Sequence, residues 1–165
     1  MNSNDKTQCS PEAAACSTKR CCPVKCLLTA LAVFVVIFLF ETVFHGVFMM
    51  PYYKATASLW RPEADMHNFM YITLIRQIGT ALAFTCVFGW MAKKSECGCP
   101  VQMGAKFGFK IGLLLGLVSF GTYAYLPLPS LEIPVMWLLG NIVEGVLMGI
   151  VAGFCCKMSK QSPAA

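Results

Sequence analysis

The chain has 165 residues, of which 57% are hydrophobic and 13% charged, with a formal net charge of +5 and a mean hydropathy of +0.63. An average soluble domain is about 25% charged, so this balance excludes an ordinary water-soluble globule. The positive charge does not call for nucleic acid as a partner, because its distribution is the loop bias of a membrane protein.

Residues 1–26 are polar, carry cysteines and lack apolar periodicity, which predicts a tail. Residues 27–50 (LLTALAVFVVIFLFETVFHGVFMM) form the first apolar stretch. A bilayer crossing needs roughly 20 such residues. The stretch exceeds the apolar part of a signal peptide, about 7 to 15 residues, and no small-x-small cleavage site follows it, so it reads as a helix of the mature protein. Residues 51–66 (PYYKATASLWRPEADM) make the one sizeable outer loop. A second helix is expected over residues 69–92, prepared from Pro62 with Glu63 and Asp65 in the positive first turn. A third is expected over residues 107–126, then a proline-stiffened turn at 127–134 (PLPSLEIP), and a fourth over 135–156 begun at Pro134. Residues 157–165 close the chain as a short tail. The expected fold is an all-α bundle of four transmembrane helices, a 27–156 domain between two tails.

Basic residues favour cytoplasmic loops. Lys6, Lys19, Arg20, Lys25, Lys93, Lys94, Lys106, Lys110, Lys157 and Lys160 fall on one side, and only Lys54 and Arg61 on the other, with Arg76 inside the second helix. Both termini are therefore expected in the cytoplasm. Tyr52, Tyr53, Trp60 and Trp137 near the outer boundary and Trp90 near the inner one suit the interfacial aromatic belt.

Lipid gives little hydrophobic drive between helices, so packing relies on small residues. Gly104, Gly108, Gly112 and Gly116 form three consecutive GxxxG steps, and Gly145, Gly149 and Gly153 repeat the device in the fourth helix. The stripes suit close packing of the third helix on the fourth within one chain, or self-association into a homo-oligomer.

Ionisable groups inside a span cost about 2.5 to 3.5 kcal/mol at the helix centre and face partners or cavities. Here they are Glu41 and His45 in the first helix, Arg76 with Gln77 in the second, and Glu144 with Asn141 in the fourth. The i,i+4 spacing of Glu41 and His45 and the i,i+3 spacing of Asn141 and Glu144 put each of these pairs on one helix face. At about 1.5 Å per residue, Glu41, Arg76 and Glu144 all lie about 10 to 15 Å below the outer boundary. If they meet, two carboxylates share one guanidinium, and the surplus charge must be met by a proton, a protonated His45 or a bound cation. That chemistry suits a proton- or cation-linked transporter or channel component. A structural salt bridge in a noncatalytic accessory subunit of a larger membrane complex is the alternative.

Cytosolic thiols stay reduced, so the ten cysteines do not suggest a disulfide framework. Cys21, Cys22, Cys26, Cys97, Cys99, Cys155 and Cys156 cluster at the inner boundary. Thiolates suit soft metals, which makes copper or zinc handling a third reading. His45, Met49, Met50, Met66, His67, Met70 and Met136 offer a soft set at the outer level, although methionine also fills gaps in membrane cores. No G-x-S-x-G, P-loop, H-E-x-x-H or dinucleotide fingerprint occurs, so no catalytic residue is assigned.

Glu41, His45 and Gly46, followed by YKATASLWRPEADM from Tyr53, carry a family likeness. The chain resembles a group of small uncharacterised four-helix bacterial membrane proteins. These share an acidic residue and then His-Gly at the end of the first helix, with a Tyr, Thr, Leu-Trp-Arg outer loop. The likeness spans about residues 27–156 and implies the architecture and a bacterial cytoplasmic membrane. It also marks Tyr53, Trp60, Arg61 and Glu63 as loop residues that could cover the mouth of an outer site, or simply anchor the loop at the membrane surface. The cysteine-bearing tail departs from that pattern.

Overall fold

A computed structural model describes residues 23–94 and 99–161. Among them the chain is all-α. Helix α1 (Pro23–Val43) runs into a π-helical turn at Phe44–Phe48; α2 (Met50–Ala55), a 3-10 turn (Ala57–Leu59) and α3 (Glu63–Asn68) follow. The chain then forms α4 (Met70–Lys94), α5 (Pro100–Gly121) with a 3-10 turn at Thr122–Ala124, and α6 (Glu132–Gln161). Four segments are long and apolar enough to cross a membrane: Val24–Phe48, Met70–Ala92, Pro100–Ala124 and Glu132–Cys156. The chain is a multi-pass membrane protein.

Helix boundaries differ from the sequence expectation where proline chemistry was underweighted. The third helix begins at Pro100, seven residues before the expected Phe107. Proline at a first helical position loses no hydrogen bond, and Cys99 before it is extended, as an N-terminal flank must be. Lys106 thus joins Lys110 on α5 rather than lying in a loop, both exposed, where long stems can carry their ammonium groups toward the interface. The fourth helix begins at Glu132, whose acid lies in the first turn. Pro134 occupies that same turn, where backbone N–H groups have no helical acceptor to lose. The outer segment expected as a loop is instead a chain of short helices folded over the bundle end. Here the end at which α1 begins and α6 finishes is the tail end, and the opposite one the cap end.

Glycine decides how α5 meets α6. Gly104 abuts Gly149, Gly108 abuts Gly145, Gly112 abuts Asn141 and Ile142, and Gly153 abuts Pro100 and Val101. A methyl group at any of these positions would collide with the facing backbone. The stripes therefore zip the two helices together, antiparallel, within one chain. Gly116 meets Leu138, and Gly140 takes the ring of Phe44 from the π-helical turn.

Helix α1 packs against both α4 and α6. Val33 and Ile37 of α1, Ala81, Phe84 and Phe88 of α4, and Met148 and Ala152 of α6 form the buried core of the tail half. Phe107 of α5 closes this core: its ring centroid lies 5.1 Å from Phe84 and 5.8 Å from Phe88. At the cap end a second core gathers Met49, Leu128 and Ile133, with Tyr53, Trp60 and Trp137 packed around it. A polar cleft lies between these two cores.

Candidate functional site

The cleft has a volume of about 240 Å³ and is lined from four helices. Helix α1 and its π-helical turn supply Phe40, Glu41, Phe44 and His45, and α4 supplies Arg76. Ser119 of α5 and the adjoining Thr122 face Trp137, Gly140, Asn141 and Glu144 of α6. Five of the six intramembrane polar residues expected from sequence line one space; the sixth, Gln77, stands behind Glu41.

Glu41 is the hub. Arg76 Nη2 donates to Oε1 at 2.7 Å and to Oε2 at 2.5 Å, and Gln77 Nε2 donates to Oε2 at 2.7 Å. Three donor contacts, two from the guanidinium and one from the Gln77 amide, converge on this one carboxylate. Its side chain is only 11% exposed, whereas Arg76 is 56% exposed. The expectation that two carboxylates share the guanidinium is corrected here. Arg76 pairs with Glu41, and this is the only ion pair among the described residues. Glu144 lines the cleft from α6 outside that pair. One turn earlier, Asn141 donates to the Trp137 carbonyl at 2.7 Å and to Ser119 Oγ at 3.3 Å, tying α6 to α5.

His45 turns to the cap rather than to Glu41. Its Nδ1 lies 2.6 Å from the Tyr53 hydroxyl, and the two rings stack at 5.9 Å. The same hydroxyl accepts from Trp137 Nε1 at 3.0 Å. Trp60 packs edge-on against both Tyr53 and Trp137 and donates from Nε1 to Thr56 Oγ1 at 2.9 Å. Thr56 in turn donates to the Tyr52 carbonyl at 2.8 Å. Burial pushes the Tyr53 hydroxyl above its ordinary pKa of 10.0, partly opposed by the Trp137 hydrogen bond. Of the other outer-loop residues singled out, Arg61 lies 4.6 Å over the Phe69 ring, outside this network. The Glu63 side chain lies outside the described residues.

Sequence reasoning missed Ser119, Thr122, Phe44 and Trp137 as cleft residues. Ser119 and Thr122 are isolated hydroxyls near the end of a helix, and only their register against Asn141 and Glu144 reveals them. The helix termini bring Cys26, Cys99, Cys155 and Cys156 to the tail end, whereas Cys21, Cys22 and Cys97 lie outside the described residues. Among the described residues no three His, Cys, Asp or Glu side chains are grouped to hold a metal.

Compared with known proteins, the chain matches no family model, no curated protein and no solved structure. Function must therefore be argued from the cleft itself.

Proposed function

We propose that this is a small proton- or cation-linked transporter or channel component whose outer-half cleft is the binding site. The supporting observation is charge imbalance. Arg76 neutralises Glu41, while Glu144 lines the same cleft outside that pair. With both carboxylates ionised and His45 neutral, the cleft carries one uncompensated negative charge. A lone ion in a low-dielectric span is costly, so it recruits a proton or a cation. All the polar groups from Ser119, Thr122, Asn141 and Glu144 offer oxygen acceptors, which favours a proton or hard cation over a soft metal. The basic-residue bias puts the cap end outside. In this orientation the cleft faces the periplasmic or external side, and the phenylalanines of the tail half pack between it and the cytoplasmic end.

The test is flux in proteoliposomes of the purified chain under an imposed pH or cation gradient. Glu144→Gln should lose flux while keeping the folded, monodisperse protein. Wild-type vesicles without flux above protein-free vesicles would defeat the reading.

An accessory role in a larger membrane complex is the second reading. One observation favours it: Arg76 is more than half exposed within a span, and a neighbouring protein could cover a guanidinium there. A stoichiometric foreign subunit, purified with the chain in mild detergent, would support that reading.

A further inference from the structure

Two buried polar atoms on α4 lack a hydrogen-bond partner among the described residues: Gln77 Oε1 and Thr85 Oγ1. Gln77 is 3% exposed and Thr85 4%. Leaving a buried polar atom unmade costs about 1 to 3 kcal/mol, so native chains rarely tolerate it without a purpose or a water. In a span, bulk water cannot reach in to satisfy it, which sharpens the demand.

The geometry of each residue narrows the explanation. Gln77 is oriented by its own amide: Nε2 is committed to Glu41 Oε2 at 2.7 Å, so Oε1 is left as a buried pure acceptor behind the Glu41 carboxylate that lines the cleft. A threonine within a helix ordinarily turns its hydroxyl onto the carbonyl four residues back. Thr29 and Thr42 of α1 do so, donating to Lys25 and Phe38 at 2.9 and 2.7 Å. Thr85 does not, and its hydroxyl retains both a donor and an acceptor function. Between the two stands Ala81, 1% exposed, the smallest side chain of the tail-half core on this helix. Gln77, Ala81 and Thr85 recur every four residues and so climb one side of α4. Two turns of helix separate the end members by about 12 Å along the axis.

We propose that Gln77 and Thr85 hold internal waters that extend the polar cleft along α4 past Ala81, toward the tail end, as a route for protons. Gln77 Oε1 accepts from its water and anchors it beside the Glu41 carboxylate. The Thr85 hydroxyl accepts the excess proton from one protonated water as it gives its own proton to the next water, so the first becomes neutral, the second carries the charge, and the hydroxyl is unchanged. The route deepens the proton-linked reading of the cleft and rests on it for its purpose. Hydration itself is independent of flux and is tested separately.

Hydroxyl-radical footprinting by X-ray pulses on the full chain in nanodiscs marks side chains beside bound water. Met148, 1% exposed and packed in the same core as Ala81 and Phe84, is the reporter. In the wild type, Met148 oxidation should be appreciable despite burial. It should be lost in Thr85→Val, which keeps the shape and removes the hydroxyl, and be restored in Thr85→Ser. Protection of Met148 in the wild type would overturn the proposal, as would equal oxidation in wild type and Thr85→Val. Footprinting that behaves as expected in a chain without proton flux would instead defeat the transport reading and leave the water sites standing.

Discussion

Arg76 Nη2 reaches both oxygens of the Glu41 carboxylate across 35 residues of sequence, at 2.7 and 2.5 Å. This contact fixes the register of α4 on α1 at the depth of the cleft. Removing either partner strands the other's charge in a span, whereas removing both leaves no unpaired charge there. Arg76→Met and Glu41→Gln should each destabilise the chain more than their combination implies. A double-mutant cycle read by denaturation in detergent should give a coupling of about 0.5 to 3 kcal/mol, near the lower end because the guanidinium is half exposed. Zero coupling would remove this pair from the account of helix order.

The glycine stripes provide a contrast within one protein. A methyl on Gly108 collides with the backbone of Gly145, whereas one on Gly79 meets nothing within 4 Å. Gly108→Ala should destabilise by about 1 to 3 kcal/mol through overpacking. Gly79→Ala should leave stability unchanged or raise it by up to about 1 kcal/mol, since alanine is the better helix former. Thermal unfolding in one detergent compares them directly. Similar losses at both positions would show that the α5–α6 contact does not set stability.

How much of this was legible beforehand depends on the range of the interaction. Four spans, their alternation and the glycine stripes are periodic and local, so counting along the chain finds them. The meeting of Glu41, Arg76 and Glu144 was a depth argument, and depth places residues at a level without saying which pairs. Helix rotation makes the ion pair with Glu41, and Glu144 lines the same cleft outside it. His45 lines the same cleft, but its hydrogen-bond partner is Tyr53 of the cap. The π-helical turn at Phe44–Phe48 departs from α-helical phase, so spacing counted along an ideal helix does not find the Tyr53 contact. The cap of short helices was hidden because its stabilising contacts are aromatic and distant: Tyr53 to Trp137 spans 84 residues.

Tyr53 should give a pH signature at the cap. Burial raises its folded-state pKa above the ordinary 10.0. A protonated, neutral Tyr53 thus contributes stability that is complete below about pH 10 and is lost as pH rises through the folded value. Ultraviolet titration near the phenolate band should show one tyrosine ionising above the others in the wild type and no such component in Tyr53→Phe. That variant also leaves the Trp137 indole and His45 without their shared partner. It should therefore lower stability by about 1 to 3 kcal/mol at neutral pH. A Tyr53 that titrates with the exposed tyrosines would mean that the cap is open in solution.

The phenylalanine layer makes a prediction about direction of access. Phe107 lies 5.1 and 5.8 Å from Phe84 and Phe88, between the cleft and the tail end. If the cleft binds a proton or cation for passage, this layer narrows the way beyond it. Phe107→Ala should then raise passive leak in proteoliposomes and cost up to about 3 to 5 kcal/mol of stability, less where neighbouring rings relax into the space. Combining it with Glu144→Gln separates two causes of leak. A specific path through the cleft is suppressed by the second substitution, whereas general disruption of the bundle is not. Leak that persists in the double variant would assign the phenylalanines to packing alone and shift the balance toward the accessory-subunit reading.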